Sequence, residues 1–257
     1  MIDSHCHLNH EKFYSSAEGF IAKAMGKGVE GFLVVGYDLA SSQKALELAK
    51  RFPNVYAAVG IHPTDIKKRG ETDLEQIEKM LSHPKVIAYG EIGLDYHWDK
   101  EENEQALQRE YFIKQINVAN RNGKPVIIHT RDAAFDTYKI LSTHQVQRSG
   151  IMHCYSGSVE MVDSYVKLGY YIALGGPVTF TNAKTPKEVA NHVPLDYLLI
   201  ETDAPYLAPH PLRGQQNEPS NLPLILNEIA NIRGISPLVL DEATTANFRR
   251  LFKLEKK

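Results

Sequence analysis

The chain has 257 residues, of which 43% are hydrophobic and 23% charged, and its 29 basic against 31 acidic side chains leave a net charge of −2. Such values exclude a disordered tail protein, a collagen-like chain and a coiled coil. They also exclude a broad cationic face for nucleic-acid backbone, so any recognition of phosphate must be local.

Short apolar runs recur along the whole length, at 2–7 (IDSHCH), 31–35 (GFLVV), 55–61 (VYAAVGI) and 86–92 (VIAYGEI), then at 126–130 (VIIHT), 150–154 (GIMHC), 170–174 (YYIAL) and 197–201 (YLLIE). Runs this brief and this apolar are the pattern of strands buried on both faces of a parallel sheet. Helical period fills the gaps: Ala45, Leu48, Ala49 and Phe52 share one face, then Leu74, Ile77 and Leu81, then Val159, Val162 and Val166, then Ile225, Ile229 and Ile232. Pro53 and Asn122-Gly123 mark helix ends, and Ser236-Pro237 opens a last helix near 237–253. Eight strand–helix units in one chain of this size predict an α/β fold, a single-domain (β/α)8 TIM barrel spanning 1–257. A doubly wound open sheet is the rival, but it wants a glycine-rich phosphate turn after its first strand, where this chain has HCHLNH.

Two cysteines, Cys6 and Cys154, exclude a disulfide-rich secreted scaffold. MIDSHCHLNHEKF is unlike a signal peptide, and no apolar run approaches a membrane span. The expectation is a cytoplasmic protein with reduced thiols and no membrane partner.

The unusual residues stand at strand ends. His5 and His7 close the first run, Glu91 the fourth, His129 the fifth and His153 the sixth, and Asp203 follows the eighth. In a barrel these C-terminal ends open on one face, where the active site lies. Alternation along a strand turns both imidazoles of His5-Cys6-His7 to the mouth and Cys6 away from it, and Cys154 stands in the same relation to His153. Both cysteines therefore read as packing thiols. A lone H-x-H is ordinarily a pair of core-satisfied or solvated histidines; four further strand ends carrying ligand types favour metal. Mixed imidazole and carboxylate ligation suits Zn²⁺, Mn²⁺, Fe²⁺, Co²⁺ or Ni²⁺ rather than Ca²⁺. Six such groups suit two ions about 3.5–4 Å apart, with one carboxylate bridging, which is hydrolytic chemistry.

IDSHCHL at 2–8, VGIHP at 59–63, GEIGLDYH at 90–97, IIHTRDA at 127–133, MHCYSG at 152–157, ETDAPYLAPHPLRG at 201–214 and NEP at 217–219 together give the chain the pattern of a known family. It resembles the TatD family of metal-dependent hydrolases, the TatD-type deoxyribonucleases, over essentially its whole length. The resemblance implies two divalent ions (Mg²⁺, Mn²⁺, Zn²⁺ or Ni²⁺), one held by His5 and His7 and the other by His129 and His153. It implies Glu91 as the bridge and Asp203 as a ligand of the first ion that also contacts the nucleophilic water, which makes Asp203 the catalytic residue. His62, at the end of the third run, and Arg213, in the loop after the eighth, are substrate-binding candidates for phosphate, the arginine through its planar fork. Loop-stabilising and solvated roles are the bland alternatives for these two. Glu201 shares strand parity with Asp203 and is a candidate for support of the site or for a further cation. Arg131, Asp95 and Tyr96 sit beside ligand positions with turn-forming or packing roles.

The expected function is hydrolysis of DNA phosphodiester bonds, as an exonuclease on single-stranded ends, by a hydroxide activated between two metals. Two carboxylates against two divalent ions and a bridging hydroxide leave a formal charge of about +1, which favours an anionic substrate. The near-neutral chain argues against gripping long duplex, and no obligate protein partner is evident. The alternatives are an amidohydrolase or an aminoacyl-tRNA deacylase using the same metals, or a metal-bound module without catalysis.

Overall fold

The computed structural model describes residues 1–68 and 71–254. Its strands are β1 (Ile2–Cys6), β2 (Gly31–Val35), β3 (Val55–Val59), β4 (Val86–Asp95), β5 (Val126–Arg131), β6 (Gly150–Met152), β7 (Tyr171–Leu174) and β8 (Leu198–Ile200). Their order in the sheet is their order in the chain, and a helical segment follows each of them. This is the (β/α)8 barrel class that the alternation of runs and stripes predicts. Among the described residues no helix is long and apolar enough to cross a membrane.

By internal contacts the chain divides into two compact units, Met1–Val34 with the chain from Cys154 onward, and Val35–His153. The division falls inside β2 and just after β6 rather than in linkers. In the first unit β1 pairs with β2 and β7 with β8, both in parallel. In the second, β3, β4, β5 and β6 pair in succession, also in parallel. Every residue of β1, β2, β4, β6, β7 and β8 is buried, as strands covered on both faces require.

Local chemistry sets the helix ends. Asp38 caps Leu39–Arg51 in a reciprocal box: its carboxylate accepts from the Ser41 N–H at 2.7 Å, and Ser41 Oγ accepts from the Asp38 N–H at 2.8 Å. Gly123, at φ 60°, closes the turn after Glu102–Arg121. Ser236 caps Pro237–Phe252, with proline in the first turn as predicted. The helix Val159–Lys167 departs in detail from its expected stripe: it buries Val162 and Tyr165, while Val166 is only half-buried.

Cys6 is fully buried, with Sγ 3.6 Å from the Leu33 carbonyl oxygen, and burial pushes its thiol pKa up. The packing role predicted from strand parity is the one observed. Cys6→Ser is expected to leave metal content at the parent level and to cost about 1 kcal/mol of stability. Metal analysis of the purified variant checks this, and a large loss of metal would contradict the register of β1. Cys154 does not share the relation expected of it, because β6 ends at Met152 and Cys154 leaves the extended path at φ 43°.

Candidate metal centre

In the first unit β1 delivers His5, and His7 lies just past its end. Their Nε2 atoms are 3.2 Å apart. Asp203 joins them, although β8 ends three residues earlier, at Ile200. The reason is a lattice of hydrogen bonds that lays 202–204 against β1. The buried Asp3 carboxylate accepts from the Thr202 N–H at 2.9 Å and from its hydroxyl at 2.6 Å. The Asp203 N–H donates to the His5 carbonyl at 2.9 Å, and the His7 N–H to the Ala204 carbonyl at 2.8 Å. Asn217, from the NEP stretch, donates to the Thr202 carbonyl at 2.7 Å. Asp203 is thereby held at φ 55°, a conformation that Asp and Asn tolerate better than other non-glycine residues. Its Oδ1 lies 3.4 Å from His7 Nε2 and 3.8 Å from His5 Nε2.

Burial raises the pKa of Asp3 to about 7, against the lowering effect of its hydrogen bonds to Thr202 and His5.

In the second unit β4 runs to Asp95, beyond the expected end at 92, and its register against β5 shifts between Tyr89 and Ile92. Gly93 permits the close pairing that follows. At φ 143°, a Cβ there would lie 1.9 Å from the His129 carbonyl oxygen. Glu91 and Asp95 then flank His129. Nδ1 of that ring is 2.9 Å from Glu91 Oε1, and Nε2 is 3.0 Å from Asp95 Oδ2. Burial alone would depress the imidazole pKa, but hydrogen bonds to Asp95 and Glu91 outweigh it and hold the pKa above its ordinary value. Burial likewise raises the Asp95 carboxyl, but the hydrogen bond and charge of His129, with the Trp98 N–H and the charge of His62, together outweigh it for a net lowering.

Glu91 Oε1 is also 3.4 Å from His153 Nε2 and 3.8 Å from His62 Nε2, so one carboxylate oxygen faces three imidazoles. The His153 N–H donates to the Ile128 carbonyl at 3.0 Å, which fixes that residue just past β6.

The ligand atoms of His5, His7 and Asp203 in the first unit lie within 4.8 Å of one another, as do those of His62, Asp95 and His129 in the second, where Asp95 takes the nitrogen of His129 opposite the one that faces Glu91. Imidazole nitrogen and carboxylate oxygen fit a divalent transition ion, and no thiolate belongs to either group.

The remaining candidates are placed as follows. His62 steadies its loop, with Nδ1 2.7 Å from Thr64 Oγ1, and its ring meets the edge of His129 at 4.4 Å between centroids. Glu201 departs from the strand-parity expectation because β8 ends before it and Asp203 has left the extended path. Its buried carboxylate instead accepts from the Cys154 N–H at 2.7 Å, next to His153 in the chain. Arg213 is exposed, with its guanidinium 4.6 Å above the Phe180 ring. Asp95 is the site residue that sequence reasoning assigned to a turn. It does hold one, since Oδ1 accepts from the N–H groups of His97 at 3.0 Å and Trp98 at 3.3 Å, but Oδ2 bonds His129. The alternation Glu91, Gly93, Asp95 along a single strand was the signal for it.

The TatD related DNase family model matches residues 2–253, through both units. The chain belongs to the TatD family of metal-dependent hydrolases. It is 42% identical to YabD of Bacillus subtilis over 99% of each chain, and 36% identical to YcfH of Escherichia coli K12 over 99% of this chain and 96% of that one; both are named uncharacterized metal-dependent hydrolases. The crystal structure of YjjV, a TatD homologue from Escherichia coli K12, superposes with a TM-score of 0.94 at 31% identity, over 99% of this chain and 98% of that one. A match over the full length of these relatives accords with the barrel fold.

In metal sites of this kind a carboxylate on the far nitrogen of a ligating histidine fixes its orientation. Asp95→Asn keeps an oxygen for the turn at His97 and removes the charge from His129. It is expected to weaken metal affinity about 10–100-fold without unfolding the chain. Metal titration beside a thermal melt checks this, and unchanged affinity would leave Asp95 a turn residue only.

Proposed function

We infer that the chain hydrolyses phosphodiester bonds of DNA, working from the ends of single strands with two divalent ions. The observation that carries this reading is the presence of two donor groups, His5, His7 and Asp203 in one and Glu91, His129 and His153 around a shared carboxylate oxygen in the other. Each has the donors for one ion. Divalent ions bound there supply a lowered pKa for water and offset charge on the phosphoryl oxygens.

The chain's own residues do the rest. Asp203 presents Oδ1 to His5 and His7 and, as general base, takes the proton of the attacking water on its carboxylate. Asp95 holds the ring of His129 through Nε2 and so aims Nδ1 at the Glu91 side. His62, anchored at Nδ1 by Thr64, turns Nε2 toward the same carboxylate and is placed to donate to a substrate phosphate. Arg213, with its guanidinium over the Phe180 ring, offers its planar fork to phosphate. Glu201 holds the backbone at Cys154, next to His153. A chain with only two cysteines accords with a cytoplasmic setting. A net charge of −2 favours a threaded strand end over a gripped duplex.

A panel of end-labelled single-stranded DNA, blunt duplex, aminoacyl-tRNA and cyclic amides, offered to metal-loaded protein, tests the reading. Stepwise shortening of the single strand is the expected result. Turnover confined to the amides or to aminoacyl-tRNA would replace it with a deacylase or amidohydrolase, and DNA binding without cleavage with a non-catalytic module.

A further inference from the structure

The sequence has one tryptophan, Trp98, and it is 68% exposed. A large ring left out of the core on a fixed backbone marks a contact surface. The backbone here is fixed: the Trp98 N–H donates to Asp95 Oδ1, and the other oxygen of that carboxylate holds His129. The ring stands edge to face with His97 at 4.8 Å, and the Arg131 guanidinium lies 5.6 Å from its centroid. Arg131 ends β5, two residues beyond His129. The His97 ring in turn bonds Asp132 at 3.0 Å. The loop after β4 and the end of β5 thus present an aromatic face and a guanidinium within a few residues in the chain of Asp95 and His129.

We propose that Trp98, with Arg131 beside it, is a stacking platform for the unpaired nucleobases of the strand whose phosphodiester is cleaved. This rests on the nuclease reading above and gives it a substrate determinant. Three observations favour nucleobases over a protein partner. The backbone of Trp98 is tied through one carboxylate to the ring of His129, which anchors the platform's loop to the metal centre. The platform's cation matches a phosphate backbone. Its flat faces accept any base, but only one released from a duplex stack, and single-strand binding sites combine these same two elements. The neutral charge of the chain as a whole makes such local contacts the main source of grip.

Trp98 is its own reporter, since no second tryptophan contributes to the emission. Metal-loaded protein is titrated with phosphorothioate single strands, with abasic strands of equal length and with blunt duplex, while cleavage of the phosphodiester counterparts is followed in parallel. Base-bearing single strands are expected to quench the tryptophan emission and to bind about five- to hundredfold more tightly than abasic strands, the range of one stacked base. Trp98→Ala should lose that preference, and Trp98→Phe should keep most of it. Equal binding of base-bearing and abasic strands by the parent, or an undiminished preference in Trp98→Ala, overturns the platform and leaves the nuclease reading standing. Base-dependent quenching without cleavage upholds the platform and overturns the nuclease reading. Emission that follows protein concentration and ignores oligonucleotides marks a contact between copies and overturns the proposal.

Discussion

Asp203→Asn is expected to lower turnover by about 10²–10⁴-fold under saturating metal, with the protein folded and still carrying its ions. The substitution is close to isosteric, and asparagine is the replacement that best tolerates the φ of 55° found there. The backbone around it is held by groups the substitution leaves alone: Thr202 on Asp3, the residue's own N–H on the His5 carbonyl, and the His7 N–H on the Ala204 carbonyl. The amide oxygen can still face His5 and His7. What disappears is one negative charge and the ability to take a proton from water. Metal analysis beside single-turnover rates separates the two effects. Parent-like turnover would make Asp203 a ligand only and move the proton acceptor elsewhere.

Glu91→Gln is expected to be the more damaging change, because it loses metal as well as rate. One oxygen of Glu91 faces His129, His153 and His62 at 2.9, 3.4 and 3.8 Å, and the residue is 4% exposed. An amide there carries no charge, and burial of His129 is then opposed by Asp95 alone. The ion of this group should be lost on dialysis, with a fall in affinity beyond the about 10–100-fold expected of Asp95→Asn. Metal stoichiometry after dialysis decides it, and a parent-like metal content would remove Glu91 from the centre.

The residues of the site differed in how plainly the sequence announced them. His5, His7, His129 and His153 stand at or next to the ends of short apolar runs, and an imidazole at a barrel strand end has few structural uses. Asp203 was legible from its neighbours but not from strand geometry. Its place comes from the Asp3–Thr202 bonds and a positive φ, which alternation along a strand does not describe. The same break in the extended path took Glu201 away from the parity predicted for it. Asp95 was hidden by Gly93, since a glycine reads as the end of a strand. In the folded chain that glycine instead lets β4 pass close to His129 and carry Asp95 to its ring. Arg213 and Trp98 lie in loops, where neither period nor capping chemistry fixes a side chain's surroundings.

The most direct test is cleavage of an end-labelled single-stranded oligonucleotide by protein stripped of metal and then reconstituted separately with Mg²⁺, Mn²⁺ and Zn²⁺, with circular dichroism recorded at each stage. A barrel of 257 residues buries enough surface to stay folded without its ions. The stripped protein should therefore keep its spectrum and cleave nothing, and at least one ion should restore hydrolysis. Full cleavage by rigorously stripped protein would contradict the account.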